Sequence, residues 1–378
     1  MTPPDNLFQN PAKAQWTVMV YMAGDTLETF GIEDFLEMSA IGSTKDVNVV
    51  VQFDRTAGFD SSYDNWTDTR RGLIRAGDTP GATWGTSIGE VNMGATSSLS
   101  DFVTWGMDNY QADNYALVMW GHGSGFDVSY DDITGDSISA KELNQVLSNT
   151  PDPIDLVGAD ACLMATTEFA YEIKDSATFL VGSQELEPGQ GWNYTPVLSD
   201  LTSNPALSAV DLGSSILNHY GQYYQSVGFN GLDETLSVIN LASLRSDQPG
   251  NLATAVNGFA STVMGGATQR DLQFLDWYRD RHVSFGDGYY DYGDIGTIFS
   301  GIANDGRVSS GIRTAAQTVV DALGTAIANN YAAVANTATG LSLYFSNKGY
   351  NPDLTYSSGN LDFAADTLWD EFLNWANW

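Results

Sequence analysis

The chain has 378 residues, of which 43% are hydrophobic and 12% aromatic: enough apolar side chain for a large core, and too much for a disordered acidic chain. Against 15 lysines and arginines stand 47 aspartates and glutamates, a formal net charge of −32. That field excludes nucleic-acid phosphate and membrane lipid as partners and favours basic peptides and divalent cations.

Residues 1–14 read as a flexible Pro/Asn-rich tail with no apolar signal core. The chain as it stands predicts cytoplasmic residence; removal of a leader would place it outside the cell or in the envelope. "WTVMVYMAG" (Trp16 to Gly24) is then a continuous β-branched and aromatic run ending in glycine, the pattern of a strand buried on both faces. "VNVVVQFD" (Val47 to Asp54), "YALVMWG" (Tyr115 to Gly121), "IDLVGAD" (Ile154 to Asp160) and "TFLVGSQ" (Thr178 to Gln184) repeat it. Helical segments lie between them: "ETFGIEDFLEMSAIG", "LSDFVTWGMDNY", "SAKELNQVLSN", and "LMATTEFAYEIKD" directly after Cys162. "GLIRAGD" (Gly72 to Asp78) reads as a hairpin strand within a Gly/Asp/Ser-rich stretch.

After Pro196 the periodicity turns helical (207–224, 252–263, 312–334), interrupted by strand-like runs at 235–241 and 340–346. The alternation predicts an α/β fold, a mostly parallel sheet flanked by helices on both faces. Residues 15–200 form its core, and 201–378 a mainly helical C-terminal subdomain that packs on the core and completes the sheet. No apolar run reaches transmembrane length.

In open α/β sheets, ligands bind beyond the carboxyl ends of the strands. His122 follows the third apolar strand in "GHGSG", and Cys162 follows the fourth in "GADACLM". On adjacent strands, about 5 Å apart, imidazole and thiol come within reach of each other. A histidine can take the thiol proton, and a helix beginning after Cys162 would point its amino end at the sulfur. Each residue alone reads more simply as structural; the pairing at strand ends points to chemistry. "GTSIG" (Gly85 to Gly89) matches a serine-hydrolase pattern, but its flanks lack the strand and helix of a nucleophile elbow.

"VMVYMAGDTLE", "NMGATSSLSDFVTWG", "YALVMWGHGSGF", "DLVGADACLMATTEFAYEI", "SQELEPGQGWNY", "GLSLYFS" and "TLWDEFL" together resemble, in this order, the clostripain family of cysteine peptidases. The resemblance implies a caspase-haemoglobinase type fold and a cysteine endopeptidase. In it Cys162 is the nucleophile, His122 the general base and acid, and the amides of Gly123 and Cys162 form the oxyanion hole. It also implies cleavage after Arg or Lys, with Asp160 in an acidic S1 pocket. Where the family carries P-G-D-G-W this chain reads "PGQGW", so Gln190 removes a carboxylate; Glu185 or Glu187 could compensate, and Trp192 is a candidate pocket wall.

No cofactor is required for that chemistry. Calcium activates some relatives, and Asp131, Asp132 and Asp136, or Asp287, Asp291 and Asp294, are the acid clusters that could receive it, without EF-hand spacing. With one cysteine and isolated His219 and His282, no zinc site is assembled. The loop "DVSYDDITGDSISAK" has no basic residue before Lys141, which begins a helix, so self-cleavage there is not expected and the protein would act as a single-chain monomer. The competing expectations are a catalytically weak peptide-binding relative of the same fold and an acidic calcium-binding surface protein.

Overall fold

The computed structural model describes residues 13–228, 234–286, 291–333, 337–345, 356 and 359–376. Strand β1 (Ala14–Ala23) carries a continuous apolar run from Val18 to Ala23 because both of its faces are covered: Met19, Tyr21 and Ala23 join one hydrophobic layer, and Val18, Val20 and Met22 the other. It is followed by β2 (Val47–Asp54), β3 (Thr69–Leu73), β4 (Thr86–Gly89), β5 (Ala112–Trp120), β6 (Asp127–Asp131), β7 (Asp136–Ser139), β8 (Ile154–Asp160) and β9 (Ala177–Gly182). The later strands are β10 (Thr235–Asn240), β11 (Tyr292–Asp294), β12 (Ile327–Ala332) and β13 (Ser342–Tyr344).

Nine of these form one sheet in the order β12-β10-β9-β8-β5-β1-β2-β3-β4. β1, β2, β5, β8 and β9 are parallel, while β3, β4, β10 and β12 run antiparallel to their neighbours. The pairs β6–β7 and β11–β13 form separate small ladders.

Helices α1 (Glu28–Ile41), α5 (Tyr194–Ser203) and α6 (Ala209–Val227) bury Phe35, Leu198 and Ile216 on one face of the sheet. Helices α2 (Thr96–Asn109), α3 (Ala140–Leu147) and α4 (Thr167–Glu172) bury Phe102, Leu143 and Phe169 on the other. That second layer continues through α7 (Leu252–Gly266), α8 (Gln269–Arg279), α9 (Ile295–Asn304), α10 (Ser310–Ala326), α11 (Asp362–Asp366) and α12 (Trp369–Ala376). This is the mixed α/β architecture with helices on both faces that the alternating pattern predicts.

Local departures have physical causes. The helix expected to start right after Cys162 begins only at Thr167, because the Thr166 hydroxyl caps it: it accepts from the Phe169 amide (3.1 Å) and donates to the Gly125 carbonyl (2.7 Å). The helical pattern over 312–334 ends at Ala326, and the next six residues become β12 by pairing with β10, Thr235 opposite Ala332. The 340–346 run supplies β13, which pairs with β11 outside the main sheet. Lys141 is the second residue of α3, whose first turn is closed by a Ser139–Glu142 capping box, and its ammonium lies 3.4 Å from Asp362. "GTSIG" lies on β4, an edge strand, and the Ser87 hydroxyl donates to Asp68.

One buried ion pair anchors the chain beyond the β1 end of the sheet. Glu28, first residue of α1, pairs with Arg55, and both side chains are fully buried. Arg55 also donates to the carbonyls of Asp60 and Ser62 (both 3.2 Å) and stacks 4.8 Å from the Trp66 ring centroid. Arg55→Ala leaves the Glu28 carboxylate buried without its cation, and a loss of about 3–5 kcal/mol is expected in chemical denaturation. A loss under about 1 kcal/mol would show that water reaches Glu28 and that the pair is not an anchor.

Candidate active site

Backbone register brings the two sequence-selected residues to one edge. β5 and β8 are parallel with Trp120 opposite Asp160, and the Gly121 amide donates to the Asp160 carbonyl (3.2 Å). His122 and Cys162 each lie two residues past that pair, on strands spaced about 4.8 Å apart. The two exits touch: a Cβ at position 123 would stand 2.5 Å from the Cys162 carbonyl oxygen and 2.8 Å from Met164 Sδ, so only glycine fits there. The hairpin bonds around Gly123 belong to its neighbours, Ser124 N–H to Asp127 O (3.0 Å) and Ser129 N–H to His122 O (3.1 Å). The Gly123 amide therefore stays outside the β6–β7 ladder.

His122 is exposed and Cys162 half-buried. His122 Nε2 lies 3.0 Å from the Thr26 hydroxyl. After Cys162 the chain turns sharply: Leu163 has φ +66°, a left-handed conformation rare outside glycine, held by its amide bond to the Glu185 carbonyl (3.1 Å). Ala165 bonds Ser183 in the same way (2.8 Å). Because α4 starts five residues past Cys162 and has only six residues, its amino end is not the source of thiolate stabilisation. The sulfur instead accepts from the Glu187 amide (3.3 Å). Burial pushes the Cys162 thiol up; the Glu187 amide opposes this, and the Glu185 and Asp160 charges add to it.

Behind the sulfur lies a buried acidic cluster. Asp160 is 5% exposed and accepts from the Tyr194 hydroxyl (2.7 Å) and the Trp192 amide (3.3 Å). A Cβ at Gly191 (φ +52°) would come within 2.7 Å of its carboxylate, so "PGQGW" packs directly against it. Both carboxyl oxygens of Glu187 are buried beside Asp160. Asp34 on α1, bonded to the Trp120 indole (2.7 Å), adds a third carboxyl, and Glu37 a fourth through the Tyr194 amide (2.7 Å). Burial pushes Asp160 up to about 7 against the pull of its hydrogen bonds; burial, reinforced by Asp160, also holds Glu187 and Asp34 well above the usual carboxylate range.

The other sequence-selected residues have distinct places. Gln190 is half-buried at a turn closed by the Gly191 amide on the Pro188 carbonyl (2.9 Å). Glu185 Oε1 accepts from the amides of Leu186 and Gly286 (both 2.7 Å), clamping two loops together. Trp192 is a core side chain against Gly158, and its indole Nε1 is buried without a partner among the described residues, as is the Tyr220 hydroxyl. His219 bonds Asp200 (2.8 Å) on the surface.

Several carboxylates of the acid clusters accept from protein donors. The Asp131 oxygens serve the amides of Met93 (2.8 Å) and Thr134 (2.7 Å), and Asp136 serves Asn92 (2.7 Å) and Ser137 (3.1 Å). Asp294 serves Gln184, Thr297 and Thr339, while Asp287 lies outside the described residues. Among the described residues no three His, Cys, Asp or Glu groups are arranged to hold an ion. No described helix is long and apolar enough to cross a membrane.

Sequence reasoning missed Thr26, Asp34, Glu37 and Tyr194. The available signal was faint: Asp34 and Glu37 are spaced by three on an otherwise apolar helix face.

Residues 20–378 match the profile of the clostripain family. Clostripain from Hathewaya histolytica is 29% identical over 216 residues, 48% of this chain and 41% of that protein, so the match spans about two-fifths of the curated relative. The fold is shared with a secreted C11 cysteine protease from Bacteroides thetaiotaomicron, solved in complex with an irreversible peptide inhibitor: 19% identity, TM-score 0.67, 95% of this chain and 100% of that one. It is shared also with an inactive zymogen C11 protease from Parabacteroides distasonis: 18% identity, TM-score 0.64, 95% of this chain and 99% of that one.

The buried carboxyls carry a pH signature. Between about pH 4 and 7 the unfolded chain has released the Asp160 proton while the folded chain still holds it. The folded state then binds more protons, so stability falls as pH rises through that window and levels off above it. Asp160→Asn should flatten the fall in denaturant midpoint; an unchanged slope would mean that Asp160 is charged and solvated.

Proposed function

Because the chain belongs to the clostripain family of cysteine peptidases, we propose that it is a cysteine endopeptidase with Cys162 as nucleophile and His122 as acid–base residue. The observation that carries this reading is the Trp120–Asp160 register, which puts both residues at one sheet edge.

Burial pushes the Cys162 thiol up, which favours S–H over the thiolate. The imidazole takes that proton as sulfur bonds to the substrate carbonyl carbon. The resulting oxyanion is received by the amides of Gly123 and Cys162. The imidazolium then protonates the departing amine, the C–N bond breaks, and an acyl thioester remains. Water, giving its proton to the imidazole, hydrolyses the thioester and restores the thiol. This chemistry is complete without a metal, and no step passes through calcium.

The substrate side chain before the scissile bond is basic in this reading. Asp160 and Glu187 supply two carboxyls close behind the sulfur, so Glu187 stands in for the charge that Gln190 lacks. A guanidinium or ammonium entering beside them favours their ionised forms, and the proton is released as the cation binds. Gln190 can accept a hydrogen bond from that cation but does not balance its charge. The acidic surface, with its net charge of −32, attracts such peptides. Action outside the cytoplasm, as a single-chain monomer, is part of the same proposal; the Bacteroides thetaiotaomicron protease of similar fold is described as secreted.

A panel of fluorogenic peptides differing only at P1 tests the assignment. Cys162→Ala should abolish hydrolysis, and Glu187→Gln should lower kcat/KM for Arg and Lys peptides by at least about tenfold more than for neutral ones. Unchanged turnover in Cys162→Ala would sink the nucleophile assignment; equal losses on all peptides would remove Glu187 from the pocket.

The raised thiol also gives the second reading, a catalytically weak peptide binder, its one supporting observation. Inactivation by an Arg chloromethyl ketone separates the two. A working dyad predicts rapid alkylation of Cys162 that slows in His122→Ala, whereas an inert thiol reacts slowly in both proteins.

A further inference from the structure

We propose that Thr26 is a positioning residue of the active site, its hydroxyl fixing the ring of His122; this rests on the dyad reading above. The sheet order carries the idea. β5 lies between β8 and β1, with Trp120 opposite Asp160 on one side and opposite Met22 on the other. All three strands therefore end at one level. The thiol leaves β8, the imidazole leaves β5, and the Thr26 hydroxyl leaves β1, 3.0 Å from His122 Nε2.

A hydroxyl can meet Nε2 as acceptor or as donor, and the proposed role uses it as acceptor. When Nε2–H donates to the threonine oxygen, the lone pair resides on Nδ1, which exchanges the proton with Cys162. A hydroxyl suits both stages of the cycle, since it accepts from Nε2–H whether the ring is neutral or protonated. The ring then keeps its place while Nδ1 gains and loses a proton.

The turn bearing Thr26 is braced. Gly24 packs on the Asp54 carbonyl so closely that a Cβ would collide with it, and its own carbonyl accepts from the Leu27 amide (2.6 Å). Asp25, with φ +28°, is buried, and its carboxylate accepts from the Asp132 amide (2.7 Å). Asp132 belongs to the hairpin that follows His122, so the Thr26 turn and the histidine loop are tied to each other. A strained residue held by such a brace is what a fixed side-chain position requires.

Thr26 itself is exposed, so its substitution should not unfold the chain. Thr26→Val, Thr26→Ser, His122→Ala and Cys162→Ala, made in the full chain, are compared on a peptide that the unsubstituted protein hydrolyses. The expected result is a fall in kcat of about tenfold for Thr26→Val, the worth of one hydrogen bond of ordinary strength, with KM and Tm unchanged. Thr26→Ser should recover most of the loss. Wild-type kcat in Thr26→Val, or failure of serine to rescue, overturns the proposal while inactive His122→Ala and Cys162→Ala leave the dyad standing. Full activity in either alanine variant removes the dyad reading and this proposal with it.

Discussion

Parallel hydrogen bonding of β5 with its two neighbours is the constraint on which the site depends. A single strand cannot slip by one residue without moving Met19, Tyr21 and Ala23, or Leu117 and Met119, from one hydrophobic layer into the other. Both layers are full, with Phe35 and Leu198 on one side and Phe102 and Leu143 on the other. The register is therefore enforced by packing on two faces, and the relative positions of residues two to four places beyond the strand ends follow from it. The juxtaposition of His122 and Cys162 is thus a by-product of core geometry.

The same end of the sheet gathers carboxyl groups, and among the described residues no basic side chain forms an ion pair with them. Asp160, Glu187, Asp34 and Glu37 lie close together, and burial favours their protonated forms. Elsewhere the fold treats a buried carboxylate differently: Glu28 is matched by Arg55, and further hydrogen bonds reach Glu28 Oε2 and Arg55 Nη2. The contrast separates a carboxylate that is paired in the fold from a cluster whose charge is suppressed by burial. If the cluster is the proposed S1 pocket, its cation arrives with the substrate, and folding stability is traded against affinity for it.

Legibility in the sequence tracked how local the cause was. Val47 to Asp54 and Ile154 to Asp160 could be bounded from composition alone, because strands covered on both faces are predominantly apolar and these end at an aspartate. His122 and Cys162 stood out because each follows such a strand. Residues 327–332 did not: "IANNYA" continues a helical pattern, and only pairing with β10 makes it a strand. The start of α4 was also hidden, since its cap depends on Thr166 reaching Gly125, forty-one residues away. Thr26 and Asp34 were invisible for the same reason. Their significance lies wholly in what the sheet sets beside them, ninety-six residues away for Thr26 and eighty-six for Asp34.

The missing helix amino end at Cys162 has a mechanistic consequence. A nucleophile at the start of a long helix would be favoured as thiolate at rest by the dipole. Here the left-handed turn at Leu163 and the short α4 deny it that field, and the Asp160 and Glu185 charges oppose ionisation. In the proposed dyad the thiol would lose its proton during attack, which makes the placement of the imidazole more demanding than in a preformed ion pair. A site of this kind gains most from a fixed histidine, and the braced turn at Gly24 to Thr26 lies where such a constraint acts.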